Sequence, residues 1–588
     1  MNMINLFFEK PYWVIIEANF QIQQEIKSFV GCNFDFNKKQ WRFKIDYLDF
    51  FNEYSKKYKI NISEELFNEY NNFQQQKQLL DQIKNDEKIS ENDKKQLFFK
   101  QKSLKNEQIQ GYKWLINVKK GILAFGTGVG KTFTALEACY QLFNQQKTDI
   151  FLIVTLSQLT TQWQKEIENN FPKCKIFNAN KDLDKRKQIY DDLKEYINEK
   201  QQEPVFLITN LEKIRLDLEE YEKFNFKTII IDEASKIKST SLKTNKKISG
   251  KSQKNNRASL KELCKKAEYV FALTATPVET SYYNLFGIFN VINEDLFCGG
   301  ISRFKQRYFI ENFFGQYDII NKTKINELKQ LVSPYIFSKK VKLNVNTKVQ
   351  NIELTYSEKD KQKYEQIKDL VIKNYIEKNK YDEKIYDSEL TEKLKEDTAL
   401  EIFGKRMQFV DFPSIVYPEY KNDYSPKMNW VLNNILKMEG KTIIFDSRTM
   451  TTERIIESFE KNNIKYFYVS GELSSKQKDI VINNFENSKD IKILICTDSL
   501  AYGKNLQFAQ NMIFFNLAFN PGTLSQRSGR IIRRGQNNEV KIYILIMKGT
   551  IEEKIYKKLS NRINNAEDVL NVKEKIKKMD LISMIEEK

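Results

Sequence analysis

Ten short apolar runs, in two groups of five, constrain this chain more than any other feature of its sequence. GILAF, IFLIV, PVFLIT, KTIII and YVFAL form the first group, and KTIIF, YFYVS, IKILICT, NMIFFN and VKIYIL the second, which begins after Ser425. Each run is too short for a buried helix and rich in β-branched or aromatic residues, so it reads as a strand buried on both faces. Longer amphipathic segments separate the runs, and that alternation predicts parallel sheets covered by helices. The fold class is therefore α/β with two lobes. From about Tyr356 to Tyr424 the Lys/Glu-rich sequence lacks such runs and reads as helices. The first ~60 residues alternate aromatic with polar residues around GCNFDFNKKQWRF, which predicts a small α+β module. The stretch from about Asn71 to Lys100, rich in Gln, Asn, Lys and Asp, reads as a helical linker or a partly mobile one. The expected divisions are 1–60 (module), 61–103 (linker), 104–345 (first lobe), 346–425 (helical insertion), 426–560 (second lobe) and 561–588 (helical tail).

Charge and chemistry narrow the function. At 588 residues the chain is too long for one core. Its 96 Lys and Arg exceed its 78 Asp and Glu, and the resulting +18 attracts polyanions, with nucleic acid the leading partner. There is no histidine, and the six cysteines, at 32, 139, 174, 264, 298 and 496, form no CxxC pair. Zinc fingers and His-based acid–base catalysis are thereby excluded. The amino terminus MNMINLFFEKPYWVII has no basic segment ahead of its apolar residues, and no apolar run approaches membrane-spanning length. A reducing, cytoplasm-like compartment is expected, with no membrane contact and a monomeric chain.

Three segments carry chemistry. GILAFGTGVGKTFTALEA places a strand, a glycine-rich loop and a helix in the order that phosphate binding requires. Gly126, Gly128 and Gly130 let backbone N–H groups turn inward toward a phosphate, and the helix adds its positive end. Within Thr127-Gly128-Val129-Gly130-Lys131-Thr132, Lys131 is placed to reach β and γ oxygens and Thr132 to offer a hydroxyl to Mg²⁺. KTIIIDEASKIKS delivers Asp232 and Glu233 at the end of a strongly apolar strand, where paired carboxylates are costly unless they serve a cation. Asp232 is the candidate Mg²⁺ partner and Glu233 the group that orients water. If QRSGRIIRRGQ, Gln526 to Gln536, is helical, Arg527, Arg530 and Arg534 share one face with Arg533 close to it, either a solvated basic face or a phosphate-binding one. Its guanidiniums suit phosphate oxygens bidentately. Arg533 is assigned to the γ-phosphate, with Arg530 its companion and Gln526 nearby, whereas Arg527 and Arg534 read equally well as surface charges.

As an ordered set these segments resemble superfamily 2 helicases, specifically the Swi/Snf-related branch of double-stranded DNA translocases, from about Leu104 to Leu559. LKNEQIQGYKWL resembles the adenine-reading Q motif with Gln108, VTLSQLTTQW motif Ia, ITNLEK motif Ib, DEAS motif II and LTATP motif III. TIIFDS resembles motif IV, TDSLAYGKNLQ motif V and QRSGRIIRRGQ motif VI. Phe519-Asn520-Pro521, the trailing Gly535-Gln536, GTIEEKI and Ser425-Pro426-Lys427 are similar to the Swi/Snf branch in particular. Two departures stand out: Ser235 ends DEAS, and Ser338-Lys339-Lys340-Val341-Lys342 is all that represents the branch's RRxK segment.

The resemblance implies two RecA-like P-loop lobes, with helical insertions and the small amino-terminal module, that use ATP and Mg²⁺ to move along DNA. It also implies sequence-neutral phosphate contacts, for which Thr155, Ser157, Thr209 and Asn210 are the candidates in the first lobe and Thr497, Gly503 and Asn505 in the second. The lysines between Lys236 and Arg257 read either as a DNA-touching loop or as a solvated one. Through Gly31, Phe34-Asp35 and Trp41-Arg42-Phe43 the module resembles the HARP-type module of annealing helicases, which implies binding to branched DNA through aromatics such as Trp41; Trp41 and Phe43 read equally as core. The activity expected is remodelling of branched DNA by annealing or fork regression, in repair or replication. A translocase that strips proteins from duplex DNA and an ATP-gated DNA clamp or assembly subunit remain as alternatives.

Overall fold

The computed structural model describes residues 3–10, 13–26, 32–86, 104–126, 128–171, 173–199, 203–237, 255–275, 282–297, 300–311, 317–339, 345–379, 388–421, 424–497, 500, 506–517, 521–533 and 535–564. The chain divides into two compact units, one of residues 1–126 with 130–340 and the other of residues 127–129 with 341–588.

The first unit opens with a five-stranded sheet, β1 (Met3–Glu9), β2 (Trp13–Ala18), β3 (Asn33–Asp35), β4 (Gln40–Lys44) and β5 (Lys59–Ile62), in the order β3-β4-β2-β1-β5. The register Val14↔Phe43 and Ile16↔Trp41 puts one face of the sheet onto Phe43, Phe51 and Tyr47, all fully buried. This module is fixed to the rest of the unit by polar contacts. The Tyr47 hydroxyl donates to the Leu296 carbonyl at 2.6 Å, Lys44 pairs with Asp295 at 3.1 Å, and the Tyr335 hydroxyl donates to the buried carboxyl of Asp46. Burial pushes the Asp46 carboxyl up. The helix Glu64–Asn85 follows, capped by the Ser63 hydroxyl, which accepts from Leu66 N–H at 3.2 Å, with Glu64 and Glu65 in its first turn. It lies within the stretch read as a linker, and it is packed rather than detached: Lys84 donates to the Ser333 carbonyl at 2.5 Å and stands over the Trp114 ring.

A seven-stranded parallel sheet forms the first lobe, with β6 (Lys120–Phe125), β7 (Ile150–Thr155), β8 (Lys175–Asn178), β9 (Val205–Asn210), β10 (Thr228–Ile231), β11 (Tyr269–Thr274) and, after a short hairpin of β12 (Phe309–Glu311) and β13 (Tyr317–Ile319), β14 (Ile336–Lys339). The order is β14-β6-β11-β10-β7-β9-β8. Five of the seven coincide with the apolar runs. The other two, β8 and β14, are the edge strands, which bury less of each face and so carry Lys, Asn and Ser that break an apolar run. The amino-terminal module is bonded to Tyr335, just before β14, and shares with Lys120, where β6 begins, the lining of one cavity, so it lies at the edge opposite their carboxyl ends.

The second unit holds a six-stranded parallel sheet of β15 (Thr347–Leu354), β16 (Thr442–Phe445), β17 (Phe467–Val469), β18 (Ile493–Cys496), β19 (Asn511–Phe514) and β20 (Val540–Met547), ordered β15-β20-β19-β16-β18-β17. Here the structure departs from the expected helical insertion over 346–425. Near its start β15 forms, paired with β20 from Thr347↔Val540 to Leu354↔Met547. The strand was hidden because it is an edge exposed on both faces, with Lys348 and Gln350 on one and Asn351 and Glu353 on the other. Two long helices, Glu358–Asn379 and Ser388–Asp411, follow it.

Where β16 and β19 end, five charged side chains meet in the interior. Lys427, fully buried, donates to Asp411 at 3.1 Å, to Glu552 at 2.6 Å and to the Phe515 carbonyl at 2.9 Å. Arg448 pairs with the other oxygen of Asp411, and Asn516 bridges Asp411 to Asp446. Three carboxyls thus face two cations. Burial, opposed by Arg448 and Lys427, leaves Asp411 below the ordinary carboxylate range. Burial and then the neighbouring Asp411 push Asp446 up from 3.8 to about 7, and burial pushes the Glu552 carboxyl up as well.

Two outcomes follow. Lys427→Met leaves Asp411 and Glu552 buried without their ammonium and is expected to cost ~3–5 kcal/mol in denaturant unfolding of the full chain. The Asp446 carboxyl titrates near 3.8 when unfolded and near 7 when folded, so the native state binds the extra proton between those values. Its contribution to stability is therefore lost as pH rises across that window and is flat above it. Asp446→Asn is expected to remove this fall, so that thermal melts at pH 8 favour the variant more than melts at pH 5.

Candidate nucleotide site and nucleic-acid edge

All seven strands of the first lobe's sheet run in one direction, so their carboxyl ends share one edge, the usual place for ligands in open α/β sheets. At that edge β6 ends in Phe125 and gives way to the glycine loop. Gly128 has φ of +80° and Gly130 of +97°, and the helix Lys131–Asn144 starts directly after Gly130. Gly130 is required twice over. Its left-handed backbone suits glycine, and a Cβ there would lie 2.1 Å from Nε2 of Gln108. Gln108 in turn uses its Oε1 to accept Lys105 N–H at 2.9 Å, which fixes the side chain at the start of the helix Asn106–Val118. Lys131 donates to the Phe125 carbonyl at 3.1 Å, folding its ammonium back over the loop, and Thr132 stands half-buried in the first helical turn. A loop with glycines at 128 and 130, a lysine over it and a hydroxyl beside it suit a nucleotide triphosphate and its divalent cation. Thr127 lies outside the described residues.

The carboxylate pair sits two strands away. β10 ends at Ile231, and β11, ending in Thr274, lies between it and β6, so the glycine loop and Asp232 are separated by two strand spacings of ~4.8 Å each. Asp232 is held by its backbone N–H, which donates to the Val154 carbonyl at 2.8 Å. Glu233 is buried and adopts φ of +50°, a conformation that costs a non-glycine residue energy and is held only where surrounding structure dictates it. Ser235, the departure from the resembled motif, is buried in the turn Ala234–Ile237. Two side chains touch Asp232, Trp163, to which no role was assigned, and Thr155, expected at nucleic acid: the indole N–H and the hydroxyl both donate to its Oδ2, at 2.8 and 3.1 Å.

The expected nucleic-acid contacts divide. Thr155 and Thr209 are corrected by their burial. Thr155 is turned onto Asp232, and the Thr209 hydroxyl accepts from Tyr221 at 2.6 Å in the interior. The carbonyl oxygen of the Asn210 side chain caps the helix Leu211–Leu216, and its amide donates to Asn180 at 2.8 Å. Ser157 remains exposed, donating to Asn180 at 3.1 Å. Asn180 therefore joins the ends of β7 and β9. It was missed because it follows β8, the edge strand without an apolar signal. Of the segment between Lys236 and Arg257, residues 238–254 lie outside the described residues. Arg257 itself is buried, donating to the Gly287 carbonyl at 2.9 Å and to Asn290 at 3.0 Å, so it faces the interior and not a ligand.

In the second unit the arginine stretch also differs from its expected form. The helix Pro521–Ser528 stops before Gly529, and Arg530 N–H closes a tight turn onto the Arg527 carbonyl at 3.1 Å. The shared helical face is therefore absent. Arg527 is not a surface charge: it is fully buried, its guanidinium 5.5 Å from the Phe445 ring centroid and 5.8 Å from that of Phe514. Gln526 and Arg530 are buried and Arg533 is half-buried, while Arg534 lies outside the described residues. Thr497 sits half-buried at the end of β18, its N–H on the Val469 carbonyl at 3.3 Å; Gly503 and Asn505 lie outside the described residues. Trp41 shares the face of Phe43, with its ring 5.2 Å from that of Phe34 and under the Arg303 guanidinium. Among the described residues no helix is long and apolar enough to cross a membrane.

Comparison with known proteins gives consistent relatives. Residues 107–408 match the SNF2-related domain and residues 426–535 the helicase conserved C-terminal domain. The chain is 25% identical over 473 residues to the uncharacterized ATP-dependent helicase MG018 of Mycoplasma genitalium, covering 77% of this chain and 41% of that protein. It is 25% identical over 483 residues to the chromodomain-helicase-DNA-binding protein 1-like of Mus musculus, covering 78% and 49%. It thus spans less than half the length of these curated relatives. Among solved structures, the Sulfolobus solfataricus SWI2/SNF2 ATPase core in complex with dsDNA is 23% identical, with a TM-score of 0.35 over 83% of this chain and 95% of that one. With the SNF2-related domain alone matching more than half of its residues, the chain belongs to the SNF2-related family.

Proposed function

We propose that this protein is a DNA-dependent ATPase that moves along DNA. One observation carries the reading: at a single sheet edge the glycine loop with Lys131 and Thr132 ends β6, the Asp232-Glu233 pair ends β10, and Gln108 packs directly on Gly130. Bound ATP with Mg²⁺ supplies the phosphoryl group whose transfer to water drives the cycle. The chain's own residues have separable tasks. Gln108 stands where an adenine edge would be read; Lys131 neutralises phosphate charge, Thr132 and Asp232 hold the cation, and Glu233 orients water. Arg533, with Arg530 and Gln526, supplies the guanidinium charge that the γ-phosphate needs as it leaves. DNA is the partner that the +18 charge and the relatives' names support, and Ser157 and Thr497 are the contact candidates left at the strand ends.

We further propose a preference for branched or partly unpaired DNA, supported by the amino-terminal module. Because Ile16 pairs with Trp41, the turn 36–39 lies beside the end of β2, where the helix Phe20–Ile26 opens. Phe36 at 83% exposure and Phe20 at 75% therefore stand at the same end of one sheet, with the exposed Lys39 between strands. An aromatic ring in water beside a lysine is suited to stack on an unpaired base and meet its phosphate. Trp41, packed on Phe34 and Arg303, is less suited, so the exposed phenylalanines take the role first given to it.

Lys131→Ala and Arg533→Ala are each expected to lower DNA-stimulated phosphate release by about 100-fold or more, whereas Glu233→Gln keeps nucleotide binding and abolishes turnover. Wild-type turnover without DNA stimulation would refute the motor reading. Phosphate release measured on forked, duplex and single-stranded DNA tests the junction preference: the fork is expected to stimulate most, and the Phe20→Ala/Phe36→Ala double variant to lose that excess while duplex stimulation stays. Equal stimulation by fork and plain duplex would favour the protein-stripping alternative.

A further inference from the structure

The environment of Asp232 contains a residue whose role the family motifs do not supply. Three donors converge on this carboxylate. Its Oδ1 accepts the Glu233 backbone N–H at 3.0 Å, and its Oδ2 accepts both the Thr155 hydroxyl at 3.1 Å and the Trp163 indole N–H at 2.8 Å. Trp163 is 2% exposed, one turn into the helix Thr160–Asn170, and an indole can only donate. A buried indole N–H usually finds a backbone carbonyl; here it spends its single donor on a carboxylate at a strand end. Thr155 is the last residue of β7, and the Asp232 backbone is anchored to Val154 of the same strand, so strand and helix grip the group from two sides.

This arrangement distinguishes the two oxygens. Oδ2 is saturated by two neutral donors, whereas Oδ1 has one donor and keeps a lone pair. We propose that Trp163 is a positioning residue for the nucleotide-bound cation: with Thr155 it fixes the plane of the Asp232 carboxylate so that Oδ1 is the oxygen offered to Mg²⁺ or to its water shell. The inference rests on the ATPase reading above. Its physical content is that the ring's N–H, and not merely its bulk, sets the carboxylate's orientation, since outer partners that orient a metal-binding group strongly affect metal affinity.

The helix that carries Trp163 also begins at the nucleic-acid edge. Thr160, its first residue, donates to the Ser157 carbonyl at 2.9 Å, and the Asn180 amide donates to that same carbonyl at 2.9 Å and to the Thr160 hydroxyl at 3.1 Å. One short helix therefore has its first turn bound to the exposed Ser157 segment and its next turn bound to Asp232.

The test is binding of a fluorescent ATP analogue to the full chain, titrated with Mg²⁺ and repeated in EDTA. Trp163→Phe keeps an aromatic ring and removes the N–H. It is expected to raise the Mg²⁺ midpoint about ten-fold with EDTA-measured affinity unchanged. Thr155→Val, which removes the other donor without touching the helix, is expected to shift the midpoint in the same direction and serves if the Trp163 variant does not fold. In an Asp232→Asn background Trp163→Phe is expected to add no further shift, because its effect passes through that carboxylate. A wild-type midpoint in Trp163→Phe, or in Thr155→Val where the former is unfolded, would overturn the proposal while leaving the ATPase reading intact. Absence of Mg²⁺-dependent nucleotide binding by the wild-type chain would overturn both.

Discussion

Parallel strand pairing is the constraint on which the rest of this molecule depends. Each lobe is built from strands running one way, so every loop leaving a carboxyl end emerges on one side of its sheet, and residues far apart in sequence become neighbours without any dedicated scaffold. In the first lobe that rule alone brings Gly130, Asp232, Thr274, Thr155, Asn210 and Asn180 to a common edge. The opposite edge is left for the amino-terminal module, held there by Tyr47, Asp46 and Lys44. The glycine loop with its carboxylate pair and the amino-terminal module are thus segregated by the direction of the strands.

Much of this was legible because the signals are local. A strand buried on both faces must be apolar along its length, so β6, β7, β9, β10 and β11 announce themselves, as do β16, β18 and β19 in the second lobe, while the partly buried β17 and β20 are marked by their aromatic and aliphatic runs. A glycine loop between strand and helix is equally local. What escaped was whatever depends on an edge or on a partner distant in sequence. The strands β8, β14 and β15 lie at sheet edges and carry Lys, Asn and Gln that erase the apolar run. Asn180 follows such a strand and was lost with it. Trp163 closes the VTLSQLTTQW segment without a role of its own; its value lies in where its N–H points, which spacing does not encode. Arg527 shows the same limit from the other side. Nothing local says that a guanidinium in a run of arginines is packed between two phenylalanine rings, while Arg530 and Arg533, six residues or fewer away, lie in turns.

The segments Ser425-Pro426-Lys427 and GTIEEKI, whose resemblance to the Swi/Snf branch is noted above, also acquire a reason. The first caps a helix through Ser425, whose hydroxyl accepts Met428 N–H at 3.3 Å, and sends Lys427 inward; the second provides Glu552 to receive it. Arg448 and Asp446 then tie the segment after β16 to the same cluster. Charges are kept here at the cost of desolvation because each is answered by another, and the geometry admits few alternative packings.

That cluster also dictates the order in which the second lobe can mature on the ribosome. Lys427 needs Asp411, the Phe515 carbonyl and Glu552, and the last of these is synthesised 125 residues after the lysine. A nascent chain that has not yet exposed Glu552 holds an ammonium with only part of its shell, so the sheet lacks its seal until the helix Ile551–Asn564 arrives. The second lobe is in this sense closed from its far end, and a truncation upstream of that helix leaves an open core and not a smaller domain.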